Sequence, residues 1–346
     1  MKSVVKHLGG VMLMALGLAC GGARLQRFEF RERHMGTEAR IVLHAPTAGQ
    51  AERAAGAAFG RIAQLDSLLS DYRDDSELAS LVARAGGPPV PVSEDLLVVL
   101  RRSLALAEET RGAFDVTVGP LVLLWREARR TGRLPDTAAL RASAARVGWR
   151  HVALDTLGRT ARLALAGMRL DLGGIAKGYA ADQALDELRR HSVERALVAI
   201  GGEIVAGRAP PGEPGWRITV EHADSGPHEI LLADAAVSSS GDTEQFVEIS
   251  GVRYSHVVDP RTGIGLTHRT AATVVAPDGI TADAFATAVT VLDGAQRAAF
   301  IAAHPEARFY VRSAADRAGC AGTLPCQDSL APCPLTGLGW PCTVQP

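Results

Sequence analysis

Between residues 51 and 69 apolar side chains recur every third or fourth position among alanines, which is the spacing of one buried helical face and predicts an amphipathic helix. Upstream of it, Arg40-Ile41-Val42-Leu43 has the composition of a strand end. The run Gly86-Gly87-Pro88-Pro89-Val90-Pro91 breaks the chain, and Ser93 stands where a cap belongs, ahead of a second helix over residues 94–109. Residues 136–147 read as a third. From 152 to 172 short apolar stretches alternate with polar ones and lead into DLGGIAKGYAAD, residues 171–182, with a helix predicted over 176–190. Strands are expected at 196–205 and 216–221, on either side of the Pro/Gly loop 210–215. A further strand at 273–276 leads into a helix over 282–292. The pattern is mixed α/β, without an internal repeat.

Length and composition narrow this picture. The chain has 346 residues, room for one large domain or two ordinary ones. Hydrophobic content of 47% and charged content of 22% are ordinary for a folded protein, while aromatic content is low at 5%. With 37 basic and 38 acidic side chains the formal charge is -1, so no global field draws nucleic acid, and phosphate recognition has to be local.

The two ends differ from the rest. Lys2 and Lys6 precede an uncharged run over 8–19, then Cys20-Gly21-Gly22. That run is shorter than the roughly 20 residues a membrane helix needs, so residues 1–19 are expected to be an export signal. Leu16-Gly17-Leu18-Ala19-Cys20 resembles a bacterial lipoprotein cleavage site, with Gly17 where a leucine is usual, which makes Cys20 the expected lipid site. An ordinary signal peptide cut nearby is the alternative. The protein is then expected on the periplasmic side of a bacterial membrane. Cys320, Cys326, Cys333 and Cys342 cluster in a Cys/Pro/Gly-rich tail, residues 316–346. In an exported chain such a cluster is expected to form two disulfides of open connectivity, and no C-x-x-C pair favours a metal knuckle.

Four constellations could carry chemistry. In DLGGIAKGYAAD a glycine pair precedes a helix whose N-terminus favours anions, with Lys177 to add charge. The spacing is neither that of the P-loop nor that of the dinucleotide fingerprint, and a plain glycine turn with a solvated lysine reads equally well. Asp283 and Thr287 are four apart on a helix and share a face, offering two hard oxygens of the kind Mg²⁺ takes, although either could serve the helix alone. His256, just before the turn Asp259-Pro260-Arg261-Thr262-Gly263, has the side chain best suited to proton transfer near neutrality, or a structural role. Gly112-Ala113-Phe114-Asp115, followed by Gly119-Pro120-Leu121 and Trp125, could equally be plain core.

Taken in order, the chain resembles the ApbE family of flavin transferases, the FAD:protein FMN transferases, over about residues 28–310. The resemblance rests on Met35-Gly36-Thr37, Ser70-Asp71-Tyr72 with Asp75-Ser76-Glu77-Leu78, GAFDVTVGPL with Trp125, LDLGGIAKGYAAD, AIGGEI at 199–204, Ser240-Gly241-Asp242, RYSHVVDPRTG and ADAFAT at 282–287. It implies an α/β catalytic unit of T-fold type, with two lobes around FAD. The implied enzyme binds FAD and Mg²⁺, passes FMN to a threonine or serine hydroxyl of an exported flavoprotein, and releases AMP. Carried over by motif, Met35, Tyr72, Ala113, Phe114, Asp115, Asp171, Lys177 and Val257 would contact FAD. The metal would sit on the Gly174 carbonyl with Asp283 and Thr287. Some family members have a second acid where Ala286 stands, so fewer protein ligands are expected here. His256, Asp283 and Lys177 are the expected catalytic residues. Two other readings use the same residues: an Mg²⁺-dependent FAD pyrophosphatase that releases FMN and AMP, and a lipid-anchored flavin-binding protein without turnover.

Overall fold

The computed structural model describes residues 24–222, 226–241 and 246–313. The expected export signal, Cys20, Asp242 and the four tail cysteines lie outside the described residues. None of the described helices is long and apolar enough to cross a membrane.

Strands Gln26–His34 and Thr37–Ala45 pair antiparallel through a turn at Met35 and Gly36, whose φ angles are 49° and 75°. They begin a seven-stranded sheet that continues with Ala196–Ile200, Glu203–Ala206, Ala235–Gly241, Thr270–Ala276 and Arg308–Ser313. Every neighbouring pair is antiparallel. Alternation along the strands sorts side chains to the two faces. Ala39, Ile41 and Leu43 enter the main core under the helices, whereas Val42 joins Leu197, Ala199 and Val237 on the opposite face. There the hairpin Trp216–His222 and Gly226–Leu232 covers them with Trp216, Ile218, Val220 and Leu232.

Helices Ala48–Leu69, Ala176–Arg190 and Gly279–Val291 pack on the main-core face. Alanines permit close approach: Ala51, Ala54, Ala55 and Ala58 on the first helix, Ala180, Ala181 and Ala184 on the second. The tightest crossing is between Gly178 and Gly279, where a Cβ on Gly178 would lie 2.1 Å from the Gly279 carbonyl oxygen. Helix Gly279–Val291 is buried on almost every side, with Phe285 fully enclosed, and so shows no polar stripe in the sequence. Each such large apolar side chain contributes about 1.5–3 kcal/mol by leaving water.

The mixed α/β class holds, as an antiparallel sheet with helices on one face. Helices 94–109 and 176–190 have the expected bounds, with Ser93 Oγ accepting from Leu96 N at 3.2 Å. The third expected helix is shorter, Thr137–Ala144, because Asp136 is its cap and the chain turns away toward Gly148 at φ 151°. The helix expected from 282 begins at Gly279, three residues earlier. Asp182, from a different helix, accepts there from Gly279 N at 2.6 Å and Ile280 N at 2.9 Å, so two orphan donors of the first turn are satisfied from outside while the cap Asp278 takes Thr281 N.

Candidate active site

Two distant motifs lie side by side at the start of the glycine loop. Arg169 bridges Val118 in parallel, and Asp171 N donates to the Val116 carbonyl at 2.7 Å. Gly119 makes this possible, since a Cβ there would lie 2.9 Å from the Arg169 backbone. The chain then turns at Gly173, whose N–H donates to Asp171 Oδ1 at 2.8 Å, and enters the helix at Ala176.

Lys177, in the first turn, folds back over this loop. Its Nζ donates to the Gly173 carbonyl at 3.3 Å and pairs with Glu203 Oε1 at 3.1 Å. Burial opposes its charge, but Asp283 and Glu203 together raise the lysine above its ordinary range, so it stays protonated. Glu203 is itself pushed up to about 7, by burial first and then by the like charge of Asp283, with Lys177 acting the other way. Its second oxygen, Oε2, is buried and has no hydrogen-bond partner among the described residues. The same is true of the hydroxyl of Ser238, its cross-strand neighbour. Sequence reasoning did not single out Glu203; the available signal was a lone acid inside the apolar strand pair of AIGGEIVA.

Asp283 reaches the same loop from the neighbouring helix. Its Oδ2 accepts from Gly178 N at 3.0 Å, and its carboxyl is fully enclosed, with burial pushing its pKa up against the pull of Lys177. Thr287, one turn on, faces Gly174, where a Cβ would lie 2.8 Å from Thr287 Oγ1. The structure therefore brings together Asp171, Gly174, Lys177, Asp283 and Thr287 from two separate stretches of the chain. Tyr72 joins them from another side. Arg126 on the helix Gly119–Thr131 donates to Asp71 Oδ2 at 2.6 Å and Asp171 Oδ2 at 3.2 Å, and its Cζ lies 4.1 Å from the Tyr72 ring centroid.

The remaining candidates sit on adjoining segments. Met35 is half-buried at the turn of the first hairpin. Ala113 and Phe114 are buried, and the Asp115 carboxylate is engaged by Thr117 N, Thr117 Oγ1 and Trp149 N at 2.7–2.9 Å, so this acid shapes its own turn. His256 and Val257 are half-buried at the bend between strands Val252–Ser255 and Val258–Asp259. The expected Asp-Pro-Arg-Thr-Gly turn follows, closed by Gly263 N to the Asp259 carbonyl at 2.8 Å, with Gly263 at φ 74°. This segment is moored to the Gly119–Thr131 helix, where Trp125 Nε1 donates to the Gly263 carbonyl at 2.9 Å.

Among the described residues no cluster of three or more His, Cys, Asp or Glu side chains could hold a metal. A hard cation does not need one here. Asp283 offers a carboxylate and Thr287 a hydroxyl next to the Gly174 backbone, hard oxygens of the kind that fit Mg²⁺ when phosphate oxygens and water complete the shell. A cation would also relieve the burial cost that raises the Asp283 pKa.

Fold and site define an antiparallel α/β protein with a glycine turn, a held lysine and an enclosed carboxylate, a group suited to a phosphorylated ligand. The ApbE family model matches residues 35–311, and the chain belongs to that family. It is 35% identical over 315 residues to the FAD:protein FMN transferase of Treponema pallidum, covering 84% of this chain and 87% of that protein. The Escherichia coli K12 protein of the same name is 32% identical over 66% of this chain and 67% of its own length. Among solved structures, the apo flavinyl transferase ApbE of Pseudomonas stutzeri superposes with a TM-score of 0.74 at 30% identity, covering 86% of this chain and 98% of that one. The flavin transferase ApbE of Vibrio cholerae gives 0.74 at 29%, over 84% and 97%.

Proposed function

We propose that this protein transfers the FMN half of FAD to a threonine or serine hydroxyl of an exported flavoprotein, with AMP leaving and Mg²⁺ required. Family membership supports the reaction class. The observation that carries the site assignment is the convergence of Lys177 and Asp283 on one glycine turn, with Gly178 N 3.0 Å from Asp283 Oδ2.

In this reading the hydroxyl oxygen attacks the FMN phosphorus, the bond from that phosphorus to the AMP oxygen breaks, and AMP departs with the electron pair. The hydroxyl proton passes to His256, the general base. Lys177, held protonated, faces the negative charge that gathers on the phosphoryl oxygens. The Gly174 carbonyl, Asp283 and Thr287 would hold Mg²⁺, which when bound would supply positive charge for the phosphoryl group. Met35, Tyr72, Ala113, Phe114, Asp115, Asp171 and Val257 contact FAD. The protein works outside the cytoplasm, on the periplasmic side of the membrane, held by lipid at Cys20; the charged start, short apolar run and Cys20 support this.

Mass spectrometry of an exported flavoprotein incubated with the protein, FAD and Mg²⁺ tests the reaction. The expected result is a mass gain equal to FMN on the acceptor with AMP released, both lost in Asp283→Ala. Release of free FMN and AMP without a labelled acceptor would instead support the pyrophosphatase reading, and intact FAD throughout the binding-protein reading. His256→Ala is expected to bind FAD and lose turnover; unchanged turnover would remove His256 from the mechanism.

A further inference from the structure

Arg126 stands outside every residue set assigned so far, yet its guanidinium joins two of the expected FAD contacts. One nitrogen, Nη2, serves both Asp71 and Asp171, and the plane of the group lies against Tyr72. Tyr72 is 77% exposed, so the ring is supported from the arginine side and open to solvent otherwise. Asp171 passes the constraint onward, because its other oxygen accepts from Gly173 N at the glycine turn. One residue before Arg126, buried Trp125 bonds to Gly263 and packs its ring, tilted by 32°, with its centroid 4.9 Å from that of Tyr254, on the segment that carries His256. One turn after it, Arg129 has a buried Nη1 without a hydrogen-bond partner among the described residues. Consecutive residues of one helix thus tie both walls of the site to the same rod.

We propose that Arg126 is a positioning residue of the FAD site. It stiffens Tyr72 as a platform for a planar ring system, and it holds Asp171, and through it the Gly173–Gly174 turn, in register with the His256 segment. The proposal rests on the reading above that Tyr72 and Asp171 contact FAD. The guanidinium combines a planar face against the Tyr72 ring with one nitrogen, Nη2, whose two hydrogens reach both carboxylates, and lysine lacks the planar face. Asp71 and Asp171 would repel each other without it. Burial and the Asp171 charge already push the Asp71 carboxyl up despite the neighbouring guanidinium. Lys177, Asp283 and His256 do not touch Arg126 through any of these bonds, so its loss falls on FAD binding more than on the chemical step.

The test compares Arg126→Ala, Arg126→Lys, Tyr72→Ala and the double variant R126A/Y72A. The readouts are FAD affinity by flavin fluorescence, KM for FAD and kcat with a flavoprotein acceptor, and amide hydrogen exchange of the ligand-free protein over residues 70–74 and 171–175. R126A is expected to weaken FAD binding and raise its KM about tenfold, with kcat reduced by no more than about threefold. R126K keeps a charge between the aspartates but loses the stacking face, so it too raises KM, and it carries the test if R126A fails to fold. The double variant is expected to bind FAD no worse than the weaker single one. Exchange over both segments is expected to quicken in R126A. Unchanged exchange in both segments, strictly additive losses, or a fall in kcat with KM unchanged would each overturn the proposal. Quickened exchange in a protein whose parent form binds no FAD would uphold Arg126 as organiser of the loop and discard FAD as its ligand.

Discussion

The ammonium of Lys177 lies 3.1 Å from Glu203 Oε1, although one residue begins a helix and the other follows the Gly201-Gly202 turn between two strands of the sheet. The pair fixes a cation at the glycine loop from the sheet side, while Asp283 bounds it from the helix side. Glu203 ionises only near neutrality, at about 7, because burial and Asp283 oppose its charge. Its grip on Lys177 therefore strengthens as pH rises through that value.

Glu203→Gln is expected to lower kcat about 10- to 100-fold, the worth of one charge-assisted hydrogen bond, with a smaller change in KM for FAD. Activity of the unaltered protein should rise with pH through about 7, and the variant should lose the share of that rise set by Glu203 while keeping any set by the His256 base. Steady-state rates across pH check both; a raised KM with kcat unchanged would contradict the role.

Gly178 and Gly174 are expected to respond differently to alanine. At Gly178 the new Cβ meets the Gly279 backbone at 2.1 Å and Asp283 Cβ at 2.8 Å, so two helices must separate. A loss of about 3 kcal/mol or more, with activity abolished, is expected in thermal melts and assays. At Gly174 the clash is with the Thr287 side chain, so the fold should survive at a cost of about 1–3 kcal/mol while the metal requirement rises.

Asp182 provides a pH-dependent tie between the same helices. Its carboxyl is pushed up to about 7 from the ordinary 3.8, chiefly by burial, against the two N–H donors of Gly279 and Ile280. The folded state therefore holds the proton more tightly than the unfolded one, and this group's contribution to stability falls as pH rises from about 4 to about 7. Melting temperature against pH should show that decline, weakened in Asp182→Asn. Asp182→Ala strands both donors and should cost about 1–3 kcal/mol for each.

Thr287→Val keeps the shape of the side chain and removes its oxygen. Melting should change little, while the Mg²⁺ concentration needed for half-maximal activity should rise by about tenfold or more. A Mg²⁺ titration of the two proteins separates this outcome from an equal requirement in both, which would take Thr287 out of the metal shell.

Much of the fold was legible where the periodicity was strong. The bounds of 94–109 and 176–190 follow from a capping serine, a glycine turn and a regular apolar stripe. Strand Ala235–Gly241 was not, since Val237 is its one β-branched residue among alanines and serines and it is a strand because partners flank it on both sides. Helix Gly119–Thr131 was not legible either, although Pro120 stands in its first turn, because Val118 before it offers no capping side chain to mark the start. Glu203 and Arg126 escaped for a related reason. Each has a role only through residues far away in the chain, and no local pattern marks such a partner.

The sequence by itself determined the mixed α/β class, the helices around the glycine loop and, through eight collinear motifs, the family. These depend on spacing along the chain, which propensity, capping and turn chemistry express locally. Tertiary structure alone decided that the sheet is antiparallel throughout, that Asp182 starts a helix about 100 residues away, and that Lys177 is gripped by Glu203 while Arg126 braces Tyr72 and Asp171. Charge pairing and desolvation act through space at a few ångströms, so they are set only when the Gly178–Gly279 crossing and the Gly119–Arg169 contact have brought the segments together.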